Sequence, residues 1–144
     1  MKKFFLIAFL IALFDQIIKL IVAQNLLVPI QLIESFLELN LVHNTGASFG
    51  LFQGTSIILS VISVLVIILI IYYLPKISKG TEQILFAIIL GGITGNLIDR
   101  IIRGYVIDYI SFRFWPAFNI ADSAITIGAI SLIILYSKKE FVKN

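Results

Sequence analysis

Cysteine is absent from the 144 residues, and histidine occurs once, as His43. Without a thiolate there is no disulfide, no cysteine nucleophile and no cysteine-ligated metal, and a lone imidazole leaves a protein-built zinc site short of ligands. Charge is scarce as well. Asp, Glu, Lys and Arg make up 13% of the chain, 60% is hydrophobic, and mean hydropathy is +1.07. A soluble domain is roughly half apolar and a quarter charged, so most of this surface does not face water. With only three prolines, no Ser/Gly-rich linker and no internal repeat, residues 1–144 read as one domain. Any chemistry falls to carboxylates, hydroxyls, amides and cations, and no cofactor or metal is implied.

The net charge is +3, but the lysines cluster beside apolar runs, which speaks of membrane orientation and against a nucleic-acid partner. Met1-Lys2-Lys3 ahead of Phe4 to Phe14 has the outline of a signal peptide. The apolar pattern resumes after Asp15-Gln16 with no small-x-small cleavage site, which favours an uncleaved helix over residues 4–23. Further spans are expected over residues 56–74, 83–100 and 121–136. The second ends at Pro75 and holds no charge, while the third carries Gly91, Gly92 and Gly95, small enough for helices to approach closely.

Four spans put both termini on one side with Lys76 and Lys79. That side holds seven lysines (2, 3, 76, 79, 138, 139 and 143), against four cations opposite, Lys19, Arg100, Arg103 and Arg113. The split assigns the lysine side to the cytoplasm. In residues 36–41 leucines at 37, 39 and 41 alternate with polar 38 and 40, the period of a half-buried strand. Residues 27–52 are therefore expected to form a small outer β platform, and residues 101–120, with Trp115 and Tyr109, an interfacial loop. The expected fold is an all-α transmembrane bundle of four helices, with an extracytoplasmic β platform between helices 1 and 2.

Gly46-Ala-Ser-Phe-Gly50 matches a nucleophile elbow, but that motif needs a histidine later in the chain and His43 precedes it. Pairing Ser48 with Lys19 as a base has nothing to bring the two together. The carboxylates say more. Asp15, Asp99, Asp108 and Asp122 all fall near outer span ends, where an unpartnered charge is costly, alongside Asn44, Asn96 and Asn119. Each alone could reach water or pair with Lys19, Arg100 or Arg103. On the third helix Gly92, Asn96 and Arg100 lie at i, i+4 and i+8, one stripe suited to an anionic or carbonyl-rich substrate. A chain reversal at Trp115-Pro116 would bring Asp108 to Asp122, and two close carboxyls split their pKa values into an acid and a base.

Five blocks recur in order: Asp15-Gln-Ile-Ile-Lys19, Asn44-Thr-Gly-Ala-Ser-Phe49, Gly91-Gly-Ile-Thr-Gly-Asn-Leu-Ile-Asp-Arg100, Val106-Ile-Asp-Tyr109 and Phe118-Asn-Ile-Ala-Asp-Ser123. In these the chain resembles the lipoprotein signal peptidases, or signal peptidase II, with Ser48 and Tyr109 as mild departures where alanine and phenylalanine are usual. The resemblance implies an intramembrane aspartyl endopeptidase of the bacterial cytoplasmic (inner) membrane with its site toward the outer face. Its substrates would be prolipoproteins, cleaved before a diacylglyceryl-modified cysteine, its surroundings membrane lipids, and its inhibitors of the globomycin type. It implies Asp108 and Asp122 as the catalytic dyad, Asn44, Asn96, Arg100, Asn119, Asp15 and Lys19 as substrate-binding residues, and a structural Asp99. The rival reading is a small transporter or channel subunit, which would place carboxylates near mid-span and show a discontinuous helix pair.

Overall fold

A computed structural model describes residues 1–46 and 54–141. Four helices dominate it: α1 (Lys2–Asn25), α2 (Ser56–Tyr73), α3 (Thr81–Arg103) and α4 (Ile120–Phe141). All four are long and apolar enough to cross a membrane. α1, α3 and α4 extend beyond the expected spans because helical hydrogen bonding continues where hydropathy stops, whereas α2 matches its span to within one residue. The proline in Leu74–Lys76 ends α2 in a single 3-10 turn.

Along α2, Ile70 is the one fully buried residue, and Ile57, Val61, Leu65 and Ile68 stand outward. A helix apolar on every face and unburied by its own protein is what lipid, not water, accommodates. The opposite holds for α3, which packs against all three other helices and buries Leu90, Gly91, Gly92, Gly95, Asn96 and Asp99. Its glycines make that possible. A Cβ on Gly91 would lie 2.7 Å from the Ala8 carbonyl oxygen of α1, and one on Gly92 2.5 Å from that of Ala121 on α4.

The strands correct the all-α expectation. Four of them, β1 (Ile30–Ile33), β2 (Leu37–Asn44), β3 (Val106–Phe112) and β4 (Trp115–Phe118), form one antiparallel sheet in that order. The expected platform supplies only half of it; the other half comes from residues 101–120, expected to be an irregular loop. The chain reverses at Arg113-Phe114 and not at Trp115-Pro116. Pro116 instead lies in β4, an edge strand, where a missing N–H breaks no ladder on its outer side. Residues 47–53, which include Ser48 and the rest of the expected platform, lie outside the described residues.

Because β1 and β2 join α1 to α2, and β3 and β4 join α3 to α4, the whole sheet sits at one end of the bundle. Lys2, Lys3, Lys76, Lys79, Lys138 and Lys139 fall at the other. Gly104, with φ of +81°, ends α3 in the left-handed conformation and turns the chain directly into β3. Leu26, Ile107 and Tyr109 form the small core where the sheet meets the end of α1.

Candidate active site

Asp108 lies on β3, and its register sets its neighbours: Val42 of β2 pairs with Asp108 and Asn44 with Val106. That brings the Asn44 side chain alongside, and its Nδ2 donates to Asp108 Oδ2 at 2.8 Å. The other oxygen, Oδ1, accepts from Asn119 Nδ2 at 2.6 Å. Asp108 is 1% exposed. Burial, and secondarily the Asp122 carboxylate, push its pKa up from 3.8 to about 7 against the opposing amide bonds from Asn44 and Asn119.

Asp122 sits in the first turn of α4, held by a reciprocal cap. Asn119 Oδ1 accepts from the Asp122 N–H at 2.9 Å, and Asp122 Oδ2 accepts from the Asn119 N–H at 3.2 Å. This is the capping-box arrangement, with Asp in place of Glu or Gln at the third helical position. Its remaining oxygen accepts from Asn96 Nδ2 at 2.7 Å. Two free helix donors are thereby satisfied while the carboxylate is locked in orientation.

The amide of Asn96 is oriented in turn. Its Oδ1 accepts from Lys19 Nζ at 2.9 Å and from Asn119 Nδ2 at 3.1 Å, so the Nδ2 faces Asp122. Lys19 is wholly buried, as are Asp15 and Asp99, which it contacts at 2.8 and 2.9 Å. Asp15 also accepts from the Ala121 N–H at 3.0 Å, tying α1 to the start of α4. Asp99 accepts from Arg103, from Gln16 at 3.1 Å and from the Ile107 N–H at 3.2 Å. Two carboxylates and two cations thus form a compensated group, which is the condition for burying charge at tolerable cost.

A cavity of about 250 Å³ opens onto both aspartates, with Asn44, Asn96 and Arg100 in its wall. Leu59, Ile62, Ile93 and Ile125 supply apolar surface from three helices. Arg100 Nη2 reaches the Gly46 carbonyl at 3.5 Å, and its Nε is buried without a hydrogen-bond partner among the described residues.

The eight site residues expected from the sequence thus converge, in two layers. Asp108, Asp122, Asn44, Asn96 and Arg100 line the cavity, and Asn119 lies directly behind the two aspartates. Asp15 and Lys19, expected to touch substrate, have no exposed surface and stand behind Asn96. Sequence reasoning passed over Gln16, which bridges Asp99, Arg103 and the Gly95 carbonyl. Its adjacency to Asp15, one turn from Lys19, was the available signal. The Asn119-x-x-Asp122 cap was also readable and was missed. His43 instead stacks on Tyr105, with ring centroids 4.2 Å apart. Among the described residues no cluster of three or more His, Cys, Asp or Glu side chains is arranged to hold a metal ion.

Known proteins resemble this chain in sequence and fold. A protein of Halothermothrix orenii named lipoprotein signal peptidase is 43% identical over 135 residues, covering 92% of each chain. One of the same name from Caldanaerobacter subterraneus subsp. tengcongensis is 44% identical over 132 residues, covering 88% of this chain and 90% of that one. A solved structure described as a bacterial membrane enzyme, determined by the in meso method at 2.3 Å resolution, superposes with a TM-score of 0.87 at 30% identity, covering all of this chain and 93% of the other. Residues 7–138 match the profile of the family described as Signal peptidase (SPase) II, and with four apolar helices and relatives alike over nearly their whole length, the chain belongs to that family of membrane peptidases.

Proposed function

We propose that this protein is an aspartyl endopeptidase that removes signal peptides from bacterial prolipoproteins, cutting before a diacylglyceryl-modified cysteine. The observation that carries the reading is that Asp108 and Asp122 line one cavity in unequal environments. Asp108 is buried and titrates near 7, whereas Asp122 lies at a helix N-terminus, where the dipole favours negative charge. Asp108 is then the acid and Asp122 the base. A water between them loses a proton to Asp122 as it attacks the scissile carbonyl, and Asp108 donates to the developing oxyanion. Collapse of the tetrahedral intermediate expels the amine with the proton held by Asp122, while a hydroxyl of the gem-diol returns a proton to Asp108, so both carboxyls regain their starting states.

Asn44, Asn96 and Asn119 fix the carboxyls, and Arg100, whose guanidinium group stands in the cavity wall, binds substrate carbonyl or anionic groups. Asp15 and Lys19 act by positioning Asn96 and the start of α4, not by touching substrate. The apolar wall suits a signal helix and acyl chains, or an inhibitor of the globomycin type, arriving from membrane lipid. The lysine-rich end faces the cytoplasm, so both termini are inside and the sheet and dyad are at the outer face. A transporter reading is disfavoured because Asp99, Asp108 and Asp122 lie at the sheet end of continuous helices, and Asp15, at the middle of α1, is already paired with Lys19. The test is incubation of purified protein with a diacylglyceryl-modified prolipoprotein and mass measurement of the products. One cut immediately before the modified cysteine is expected; an intact substrate, or a cut elsewhere, would remove the assignment.

A further inference from the structure

The end of the bundle remote from the dyad holds a second cavity, of about 590 Å³, where the first turn of α1 meets the start of α3. Lys2, Lys3 and Lys79 stand around it, and Phe4, Ile7 and Ile84 form its apolar wall. The only side chains of formal charge in that lining are cationic, and none of the three lysines has an ion pair among the described residues. Glu82, the nearby carboxylate of α3, is engaged elsewhere: it accepts from Tyr136 at 2.5 Å and from Lys139 at 2.9 Å, both on α4. Gly80, also in the lining, starts α3 with no side-chain cap, so the positive end of a 23-residue helix opens at the same place.

We propose that this cavity binds the headgroup of an anionic phospholipid of the lysine-side leaflet. The three ammonium groups and the uncapped α3 donors would take the phosphodiester, and the first acyl carbons would lie against Phe4, Ile7 and Ile84. An apolar wall beside three cations selects a lipid over a free anion, because inorganic phosphate leaves that wall facing water. Ile84 is 46% exposed, so the wall continues onto the lipid-facing side of the bundle. The site is separate from the peptidase reading and independent of it, since the cavity and the dyad occupy opposite ends of the helices.

The test uses the full chain in a neutral detergent, titrated with phosphatidylglycerol or phosphatidylcholine of matched acyl chains, with bound lipid counted by native mass spectrometry. Phosphatidylglycerol should bind about a hundredfold more tightly, since each of the three basic residues beside the anionic headgroup contributes roughly fivefold. Lys79→Gln alone should lower that affinity about fivefold, and the Lys2→Gln/Lys3→Gln/Lys79→Gln variant should reduce it to the phosphatidylcholine level. Lys138→Gln, at the same end but outside the cavity, should change nothing, and the melting temperature of the triple variant should match the parent and so report a folded protein. Equal retention of the two lipids, undiminished phosphatidylglycerol binding in a triple variant that melts like the parent, or the same loss from Lys138→Gln would each overturn the site. Displacement of the lipid by equimolar inorganic phosphate would show a site for free anions instead, and overturns the lipid assignment.

Discussion

At Asp108 burial and a neighbouring carboxylate raise the pKa from 3.8 to about 7, while two amides restrain the rise. Between those values the folded chain keeps a proton that the unfolded chain releases, so Asp108 makes stability fall as pH rises across that window and level off above it. Asp108→Asn has no proton to lose. Its stability in detergent should therefore gain on the parent's as pH is raised from 4 to 7, by about 1.4 kcal/mol per pH unit at most, read as a rising difference in melting temperature. Its cleavage should be nearly abolished, as should that of Asp122→Asn, with the double variant little worse than either single one because the two groups act as a unit. In the parent, turnover should decline as pH passes about 7 and the acid is lost; turnover rising through that range would reverse the assignment of acid and base. Lys19 poses a different problem. Lys19→Met would leave Asp15 and Asp99, both 0% exposed, short of their shared cation. A loss of about 3–5 kcal/mol is expected, read as a large drop in melting temperature; a variant as stable as the parent would mean that the buried group is not charged as described.

Gly92 shows how an element positions a residue it does not contain. A methyl there would meet the Ala121 carbonyl oxygen at 2.5 Å, a backbone atom in the first turn of α4, one residue before Asp122. Gly128→Ala is an informative control, because its methyl would meet α3 at Ile89, 2.6 Å away, further along α4 from Asp122 and not beside it. Gly92→Ala should cost about 1–3 kcal/mol through overpacking and lower kcat by roughly a hundredfold through displacement of Asp122, with Gly128→Ala far milder in kcat. Equal kcat losses would deny that the close approach of α3 to Ala121 in particular sets the position of Asp122. The helices and these glycines were legible in the sequence because lipid demands long apolar runs and close packing demands small residues. The strands were half legible. In β2 the leucines at 37, 39 and 41 alternate with polar residues, but in β3 Val106, Ile107, Asp108 and Tyr109 are all buried, so both faces are covered and the period of two disappears. The polar residue in that run is the proposed acid, so the feature that hid the strand is also what makes it functional. For the site, motif order nominated the residues, but only the fold separates those lining the cavity from Asp15 and Lys19 behind it, since depth has no signature in a helical repeat.

The whole molecule is polarised along the bundle axis. The sheet, Asp99, Asp108, Asp122 and the asparagines that hold them gather where α3 ends and α4 begins, and lysines without an ion pair among the described residues stand where α1 and α3 begin. A membrane potential and an anionic inner leaflet both hold lysine-rich segments on the cytoplasmic side, so this polarity predicts that the dyad opens at the outer leaflet. The chain has no cysteine, so single replacements report position without background. Asn40→Cys on β2 and Arg113→Cys at the β3–β4 turn should react with a membrane-impermeant maleimide added to intact cells, or to spheroplasts where an outer membrane intervenes. Lys79→Cys, between α2 and α3, should react only after lysis. Arg113 is exposed, so its failure to label could not be put down to burial. Labelling of Lys79→Cys in sealed cells, with Asn40→Cys and Arg113→Cys protected until lysis, would invert the topology. It would also place the dyad on the side from which the acyl-bearing cysteine of a translocated prolipoprotein has already departed, and the proposed substrate would have to be given up together with the orientation.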